Sequence, residues 1–471
     1  MIPANSFNKS LVAVFGLGKS GLSTVRGLEA GGARVVAWDD SAARRADASV
    51  AGATLRDFTK ENWKDIAALV LSPGVPLTHP EPHPVVKLAH AAGVEVIGDI
   101  ELFTRAIRLL SPLVPVIAIT GTNGKSTTTA LIGHMVECCG GNAQVGGNIG
   151  RPALELEMPT PSTVYVLELS SYQIDLAPSI APKIGVLLNI TPDHIDRHGT
   201  LENYAAVKAR LFAKQTQDDT AIIGIDDPHS NDVYTDLCAA NKQKIIPVSV
   251  GKVLERGIYV LNGQLYDGSS TQGHAVGDFM DLKTLAGTHN WQNAAVAYAV
   301  GRALGYSCVD ILSSFKSFPG LAHRMEIVAE ESGVRYINDS KATNADAVSK
   351  ALATYNNIYW IIGGKPKKGG IETLTPYFSR MRRAYLIGEA ADEFSHTLEG
   401  KVDYLRTQTL DRAVEAAAND ANTVNDDPEM RVVLLSPACA SFDQFPNFEA
   451  RGEAFRTAVF SFLEKKGRAS A

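Results

Sequence analysis

Residues 116–129 read VIAITGTNGKSTTT. A run of β-branched and small apolar residues meets a glycine turn, then a lysine, a serine and three threonines. This is how a buried strand, an anion-cradling loop and a helix N-terminus read. Glycines let backbone N–H groups face a phosphate, the lysine reaches its outer oxygens, and a hydroxyl can ligate magnesium. The spacing departs from the common P-loop, G-x-x-x-x-G-K-[ST], because only Thr122 and Asn123 separate Gly121 from Gly124. Gly121, Thr122, Asn123, Gly124, Lys125, Ser126 and Thr127 are therefore the candidate phosphate-binding residues.

Similar Val- and Ile-rich runs recur along the chain: LVAVFG, ARVVAW, AALVLS, VEVIG, TVYVLEL, KIGVLLN, TAIIGI, NIYWIIGG and RVVLLS. Their apolarity is continuous rather than alternating, which suits parallel strands buried on both faces. Alternation with stretches of helical composition predicts an α/β protein built of several βαβ layers. At 471 residues the chain exceeds what one core supports. Seams are expected in FTRAIRLLSPLVP and at Pro319-Gly320, giving domains of 1–110, 111–320 and 321–471.

A second glycine loop stands upstream. Gly16-Leu17-Gly18-Lys19-Ser20-Gly21 follows a strand and opens a helix, and the next strand ends in Asp39-Asp40. Such a G-x-G-x-x-G loop holds a diphosphate while the acid reaches a ribose hydroxyl. A nicotinamide-dependent oxidoreductase is the obvious reading, but nothing downstream supplies a hydride-transfer site. UDP-sugars carry the same diphosphate and ribose. A tight turn that binds nothing is the plain alternative.

The formal net charge of −6 and the lack of a long basic run exclude a concentrated nucleic-acid footprint. No apolar run approaches the roughly 20 residues that span a bilayer. Cys138, Cys139, Cys238, Cys308 and Cys439 form an odd, scattered set without C-x-x-C pairs. That argues against a disulfide framework or a zinc site and for a reduced cytoplasmic compartment.

A magnesium–phosphate site needs carboxylates. Glu168 closes the run TVYVLE as an acid among apolar neighbours, either a ligand or a structural carboxylate. NITPDHIDRHGT then packs Asp193, His194, Asp196, Arg197 and His198 into a few residues, where open α/β sheets place ligands. A mixed-charge surface turn is the rival reading there.

Taken together, GTNGKST, ELSSYQ, NITPDHIDRH and GTHNWQNAAVA resemble the Mur ligase family of peptidoglycan precursor synthesis, and the resemblance runs from VFGLGKSG to SPACASFDQFPNF. The short P-loop is that family's own form. SPGVPLTHP, GGNIG, NDSKATN and SPACASFDQF resemble its D-glutamate-adding branch, and the D-N-P-R motif of the diaminopimelate- or lysine-adding branch is absent. The resemblance implies a Rossmann-like UDP-binding domain, a central P-loop ATPase-like domain with a parallel sheet, and a C-terminal Rossmann-like α/β domain. It also implies ATP-dependent amide ligation through an acyl phosphate, with UDP-N-acetylmuramoyl-L-alanine and D-glutamate as substrates.

By the same resemblance Lys125 stabilises the transferring phosphoryl group. Ser126 and Glu168 hold one Mg²⁺, and His194 a second. Lys208, on pattern alone an ordinary helix lysine, matches the position of a carbamylated lysine serving the metal. Asn290, Asn293 and Arg324 would contact ATP, and Asp339 and Lys341 would help close the third domain over it. Gly18, Lys19, Ser20, Asp39, Ser72 and Asn148 would hold the UDP substrate, although Asp40 and Ser41 stand where a threonine or basic uracil partner is expected. Thr343, Ser441, Phe442, Phe448 and one of Lys365, Lys367 and Lys368 would hold D-glutamate, with Lys367 favoured by count from the glycine pair. A cytoplasmic monomer is expected. Folylpolyglutamate synthase and an inactive UDP-sugar-binding protein are the rival readings.

Overall fold

The computed structural model describes residues 1–60, 62–268, 274–366, 369–423 and 429–469. Lys367 and Lys368, two of the three candidate glutamate lysines, lie outside them.

Each continuous apolar run becomes a strand, and most of them are buried along their length. The first sheet has β1 (Leu11–Phe15), β2 (Arg34–Trp38), β3 (Ile66–Leu71) and β4 (Glu95–Ile97) in the order 2-1-3-4, all parallel. The second holds β5 (Val116–Thr120), β6 (Asn142–Gly147), β7 (Thr163–Glu168), β8 (Ile184–Leu187), β9 (Thr220–Gly224), β10 (Lys244–Val250), β11 (Ile258–Leu261), β12 (Gln264–Asp267) and β13 (His274–Asp278). Their order is 13-12-11-10-9-8-5-7-6, with antiparallel pairing only at the β11–β12–β13 edge. The third contains β14 (Glu326–Glu331), β15 (Val334–Asn338), β16 (Ile358–Gly363), β17 (Met381–Ile387), β18 (Tyr404–Gln408) and β19 (Arg431–Leu435), ordered 14-15-19-16-17-18, with β14 antiparallel.

The α/β class expected from the runs is what forms. Nine strands escaped the sequence reading: β6, β10 to β15, β17 and β18. Most sit at or near edges, where short, polar or half-exposed segments satisfy the ladder without a continuous apolar run.

By compactness the chain forms two units, Met1–Asp281 with Asn290–Phe318, and Leu282–His289 with Pro319–Ala471. The first contains both the first and second sheets. One apolar cluster joins them, running from Val12 and Val14 through Ile100 and Phe103 to Tyr165 and Leu187. The second unit has its own six-stranded sheet with an apolar cluster on each face. Among the described residues no helix is long and apolar enough to cross a membrane.

Candidate functional site

In the first unit the loops after β8, β5 and β7 lie side by side, at the carboxyl ends of neighbouring parallel strands. The strand β5 runs into Gly121–Gly124, and helix Lys125–Cys138 starts at once. Gly124 has φ +84°, and a Cβ there would lie 2.4 Å from Asn293 Oδ1. Only glycine fits that position. Lys125 Nζ folds back to donate to the carbonyls of Gly121 (2.9 Å) and Thr122 (2.8 Å).

The missing loop residues are compensated from outside. Asn189 Oδ1 accepts from Asn123 N (2.9 Å), and its amide donates to the Asn123 carbonyl (3.2 Å). Thr122 N donates to Asn189 O, while Thr122 Oγ1 accepts from Thr191 N and donates to Thr191 O. The segment after β8 thus acts as a splint for the short loop. Asn290 and Asn293, bonded to each other at 3.1 Å, back the first turn of the helix, where Thr128 Oγ1 donates to Asn293 Oδ1. Both asparagines, expected on the adenine side of ATP, thus pack behind the phosphate loop.

Glu168 ends β7 and is buried. Its Oε1 accepts from Asn148 Nδ2 at 2.7 Å, whereas Oε2 is buried with no hydrogen-bond partner. A buried carboxylate oxygen left without a donor is costly, and a cation is the natural partner for it. ELSSYQ reads as a capping box: Ser170 Oγ accepts from Gln173 N and Gln173 Oε1 from Ser170 N. That starts helix Ser171–Asp175 just beyond the acid.

Lys208, in helix Leu201–Ala209, is only 1% exposed. Its Nζ donates to Gly121 O (3.0 Å) and Thr120 Oγ1 (3.2 Å) and lies 4.5 Å from the Tyr204 ring centroid. Burial, reinforced by Lys125, holds the ammonium well below its ordinary value, against a weaker opposing pull from Asp193. Tyr204 links the same groups, its hydroxyl 3.3 Å from Thr122 Oγ1.

His194 sits in a left-handed turn at φ +53°. Its Nε2 is 3.4 Å from Asp193 Oδ2, and its ring packs 5.1 Å from that of Tyr172. His198, stacked on Tyr172 and bonded to Ser171 Oγ at 2.9 Å, is pushed down to about 4, chiefly by burial and then by neighbouring cations. Arg197 covers Tyr172 and donates to the carbonyls of Gly74 and Val75. The cluster is thereby tied to the first sheet.

At the first loop Asp39 faces inward, accepting from Leu17 N (2.7 Å) and Ser41 N (2.8 Å). Ser72 Oγ donates to Gly16 O and Ser20 Oγ to Asp99. Lys19 Nζ donates to Gly150 O, near Asn148, and Gly18 is the N-cap of the adjoining helix, its carbonyl accepting from Leu22 N. Arg45 lies 4.6 Å over Trp38 and donates to the carbonyls of Asp39 and Asp40.

In the second unit the carboxyl ends of β15, β16 and β19 converge. Asp339 accepts from Ser436 Oγ (2.8 Å) and Met325 N (3.2 Å), and burial pushes its carboxyl up to about 7, with Arg324 opposing. Lys341 Nζ lies 5.0 Å from the Phe448 ring, and Thr343 follows in the same loop. Lys365 and Ala440 pair through both backbone groups, which brings the glycine-pair loop against Ser441. Ser441 is buried, Phe442 is 69% exposed, and Phe448 opens the last helix. Among the described residues no group of three or more His, Cys, Asp or Glu is arranged to hold a metal ion.

Sequence reading passed over Asn189, Thr191 and Tyr204. An amide after a strand and a helix tyrosine carry no spacing signal of their own.

Three family models match successive parts of the chain: the MurD-like N-terminal domain of Mur ligases over residues 10–98, the Mur ligase middle domain over 119–301, and the Mur ligase glutamate ligase domain over 323–439. The chain belongs to the Mur ligase family. It is 52% identical over 472 residues, covering 100% of both chains, to the UDP-N-acetylmuramoylalanine--D-glutamate ligase of Caulobacter vibrioides. It is 53% identical to the enzyme of that name in Rhodopseudomonas palustris, over 98% of each. Among solved structures, UDP-N-acetylmuramate-alanine ligase MurC of Thermotoga maritima shares the fold at TM-score 0.55 and 16% identity, covering 98% of this chain and 99% of that one. MurF ligase of the same organism, in complex with ADP, matches at TM-score 0.55 and 16% identity over 99% and 98%.

Proposed function

We propose that this Mur ligase adds D-glutamate to UDP-N-acetylmuramoyl-L-alanine in the cytoplasm, forming the amide at the cost of ATP and releasing ADP and phosphate. The observation that carries the reading is end-to-end identity above one half to relatives of that name. A carboxylate is a poor acylating agent because its leaving group would be oxide. Phosphorylation supplies a better one, and the D-glutamate amine then displaces phosphate through a tetrahedral intermediate. Both partners of the first step are anions, so positioning and charge neutralisation carry the catalysis.

In this reading Lys125 steadies the transferring phosphoryl group. Ser126 and Glu168 would hold one Mg²⁺, which the orphan Glu168 oxygen suits, and His194 a second. Magnesium, when bound, neutralises charge on the phosphates and the acceptor carboxylate. Lys208 serves the metals as a carbamate. An unprotonated amine is what adds to carbon dioxide, and the resulting anion would hold a cation where an ammonium would repel it. Asn290, Asn293, Arg324, Asp339 and Lys341 act on ATP. Gly18, Lys19, Ser20, Asp39, Ser72 and Asn148 act on the UDP substrate. Thr343, Ser441, Phe442, Phe448 and Lys367 act on D-glutamate. The corresponding domains are 1–110, 111–320 and 321–471, in a monomer.

The test is phosphate release from ATP, Mg²⁺ and UDP-N-acetylmuramoyl-L-alanine, with and without D-glutamate. Strong dependence on the D-isomer is expected. Release that ignores it, or that L-glutamate supports equally, would refute the assignment.

A further inference from the structure

Helix Asp99–Leu110 opens with two buried acids, and only one of them is neutralised. Glu101 is paired with Arg105 at 2.7 Å and accepts from Ser179 N. Asp99 is 3% exposed and has no cation partner among the described residues. Its Oδ2 accepts from Ser20 Oγ at 2.7 Å and its Oδ1 from Ile100 N at 3.0 Å. Gln173 gives it a further side-chain hydrogen bond, and burial raises its carboxyl against the pull of these donors. A buried acid without a cation costs stability, and an apolar side chain of similar size would serve packing better. What Asp99 provides is a connection. Ser20 belongs to the G-x-G-x-x-G loop, whereas Gln173 closes the capping box of Ser170, two residues after Glu168. Its neighbour Lys19 reaches Gly150 O, in the loop whose Asn148 amide holds Glu168 Oε1. Lys19-Ser20 is thus tied to both chain segments that border Glu168. The seam is tight as well: Gly98 N donates to Leu176 O at 2.8 Å, and a Cβ on Gly98 would stand 2.9 Å from Leu176 Cβ.

We propose that Asp99, in the ligase reading above, is a positioning residue that couples occupation of the first glycine loop to the placement of Glu168. A diphosphate drawn to the helix start at Lys19 fixes Ser20. Asp99 passes that constraint to Gln173, and the Gln173 side chain sets the turn at Ser170 that follows Glu168. Packed side chains joined by hydrogen bonds carry coupling of this kind between sites. The carboxylate with the orphan oxygen is therefore better held for its cation when the acceptor substrate is in place. Coupling between two binding sites is reciprocal, so the magnesium nucleotide tightens the UDP substrate by the same factor. Asp99 itself touches no reacting atom.

Calorimetry on the full-length protein reads this as the Kd of Mg²⁺ with a non-hydrolysable ATP analogue, with and without saturating UDP-N-acetylmuramoyl-L-alanine. In wild type the UDP substrate should tighten the analogue at least about fivefold, at the lower end of ordinary couplings. The analogue should tighten the substrate equally. Asp99→Ala should bring both factors below about twofold, while the analogue alone binds as it does to wild type. Asp99→Asn offers one acceptor oxygen where Ser20 and Ile100 need two, so its factor should fall between. A residue that only held the fold would lower the melting temperature and weaken each ligand singly, leaving the ratio intact. A wild-type ratio in Asp99→Ala and Asp99→Asn, or a wild type whose two ligands bind without affecting each other, would overturn the role given to Asp99. A wild type that does not bind the UDP substrate at all would sink the ligase reading, and the role of Asp99 with it.

Discussion

At the scale of single residues, the most telling side chain is Lys208. Hydrophobic patterning gives no reason to notice it, because nothing in NYAAVKARLF says which face turns inward. Its burial against Thr120 and Gly121 is a tertiary fact, and only family resemblance marked it beforehand. Lys208→Ala should cut kcat about ten- to a hundredfold, the scale at which lost metal support is felt. Formate or acetate should restore part of it by standing in for the proposed carbamate. Full activity in the untreated variant would remove the carbamate from the mechanism. Asp339 makes a second residue-level prediction. Burial holds its carboxyl at about 7 in the folded chain, above the usual 3.9 of an unfolded aspartate. The folded state therefore binds more protons than the unfolded one between those values. Its favourable contribution is complete below about pH 4 and is lost as pH rises through 7. Asp339→Asn mimics the protonated form, so its stability relative to wild type should climb between pH 5 and pH 8, by about 2–3 kcal/mol. Denaturant unfolding at the two pH values reads this directly, and a gap that does not change with pH would show Asp339 ionised throughout.

At the scale of elements, the short phosphate loop is held in shape by a neighbour rather than by its own length. Asn189 alone contributes two hydrogen bonds to the backbone of Asn123, and a hydrogen bond contributes about 1 kcal/mol net. Asn189→Ala should therefore raise the KM for ATP by about tenfold or more, while the KM for the UDP substrate stays within twofold. Equal rises in both constants would mean general disruption instead. The same contrast explains what the sequence disclosed. Central strands such as β5, β8 and β16 are buried on both faces and announce themselves as runs of Ile and Val. The strand β6, NAQVGG, borders the sheet and carries two glycines where the chain passes close to Arg151 and Glu168. The strand β17 begins Met-Arg-Arg, and β12, second from the sheet edge, alternates between buried and half-buried residues. Motif residues were legible because backbone and charge chemistry fixes their spacing. The amides and tyrosine that brace them were not, because bracing depends on which loops the fold makes neighbours.

At the scale of the whole molecule, the glycine loops and the Pro/Gly seams suggested three parts, and three sheets form. Yet the apolar cluster that includes Val14 of β1 also includes Tyr165 of β7 and Leu187 of β8, which no reading of either stretch alone reveals. The C-terminal sheet differs in this respect. Trp360, Ile362 and Leu434 face helices Ala345–Thr354 and Ala391–Leu398 on one side, and Ile361, Tyr385 and Leu435 face helix Leu410–Thr423 on the other. Both faces are covered from within residues 319–471, the main requirement for a parallel sheet to stand in water. A fragment spanning 319–471 should therefore fold by itself, with one cooperative transition in denaturant followed by circular dichroism and a slope appropriate to its size. It lacks Leu282–His289, which belongs to the same compact unit and buries Leu282 and Leu285. A fragment in which 282–289 is joined to Pro319 by a flexible linker should accordingly be the more stable of the two. At roughly 25 cal/mol per Å² of apolar area, two leucines contribute up to a few kcal/mol before the entropy of ordering the segment is subtracted, so a gain of about 1–2 kcal/mol is expected. A non-cooperative melt of the shorter fragment would show that its core depends on the rest of the chain. Equal stability of the two would show that the 282–289 segment adds nothing to it.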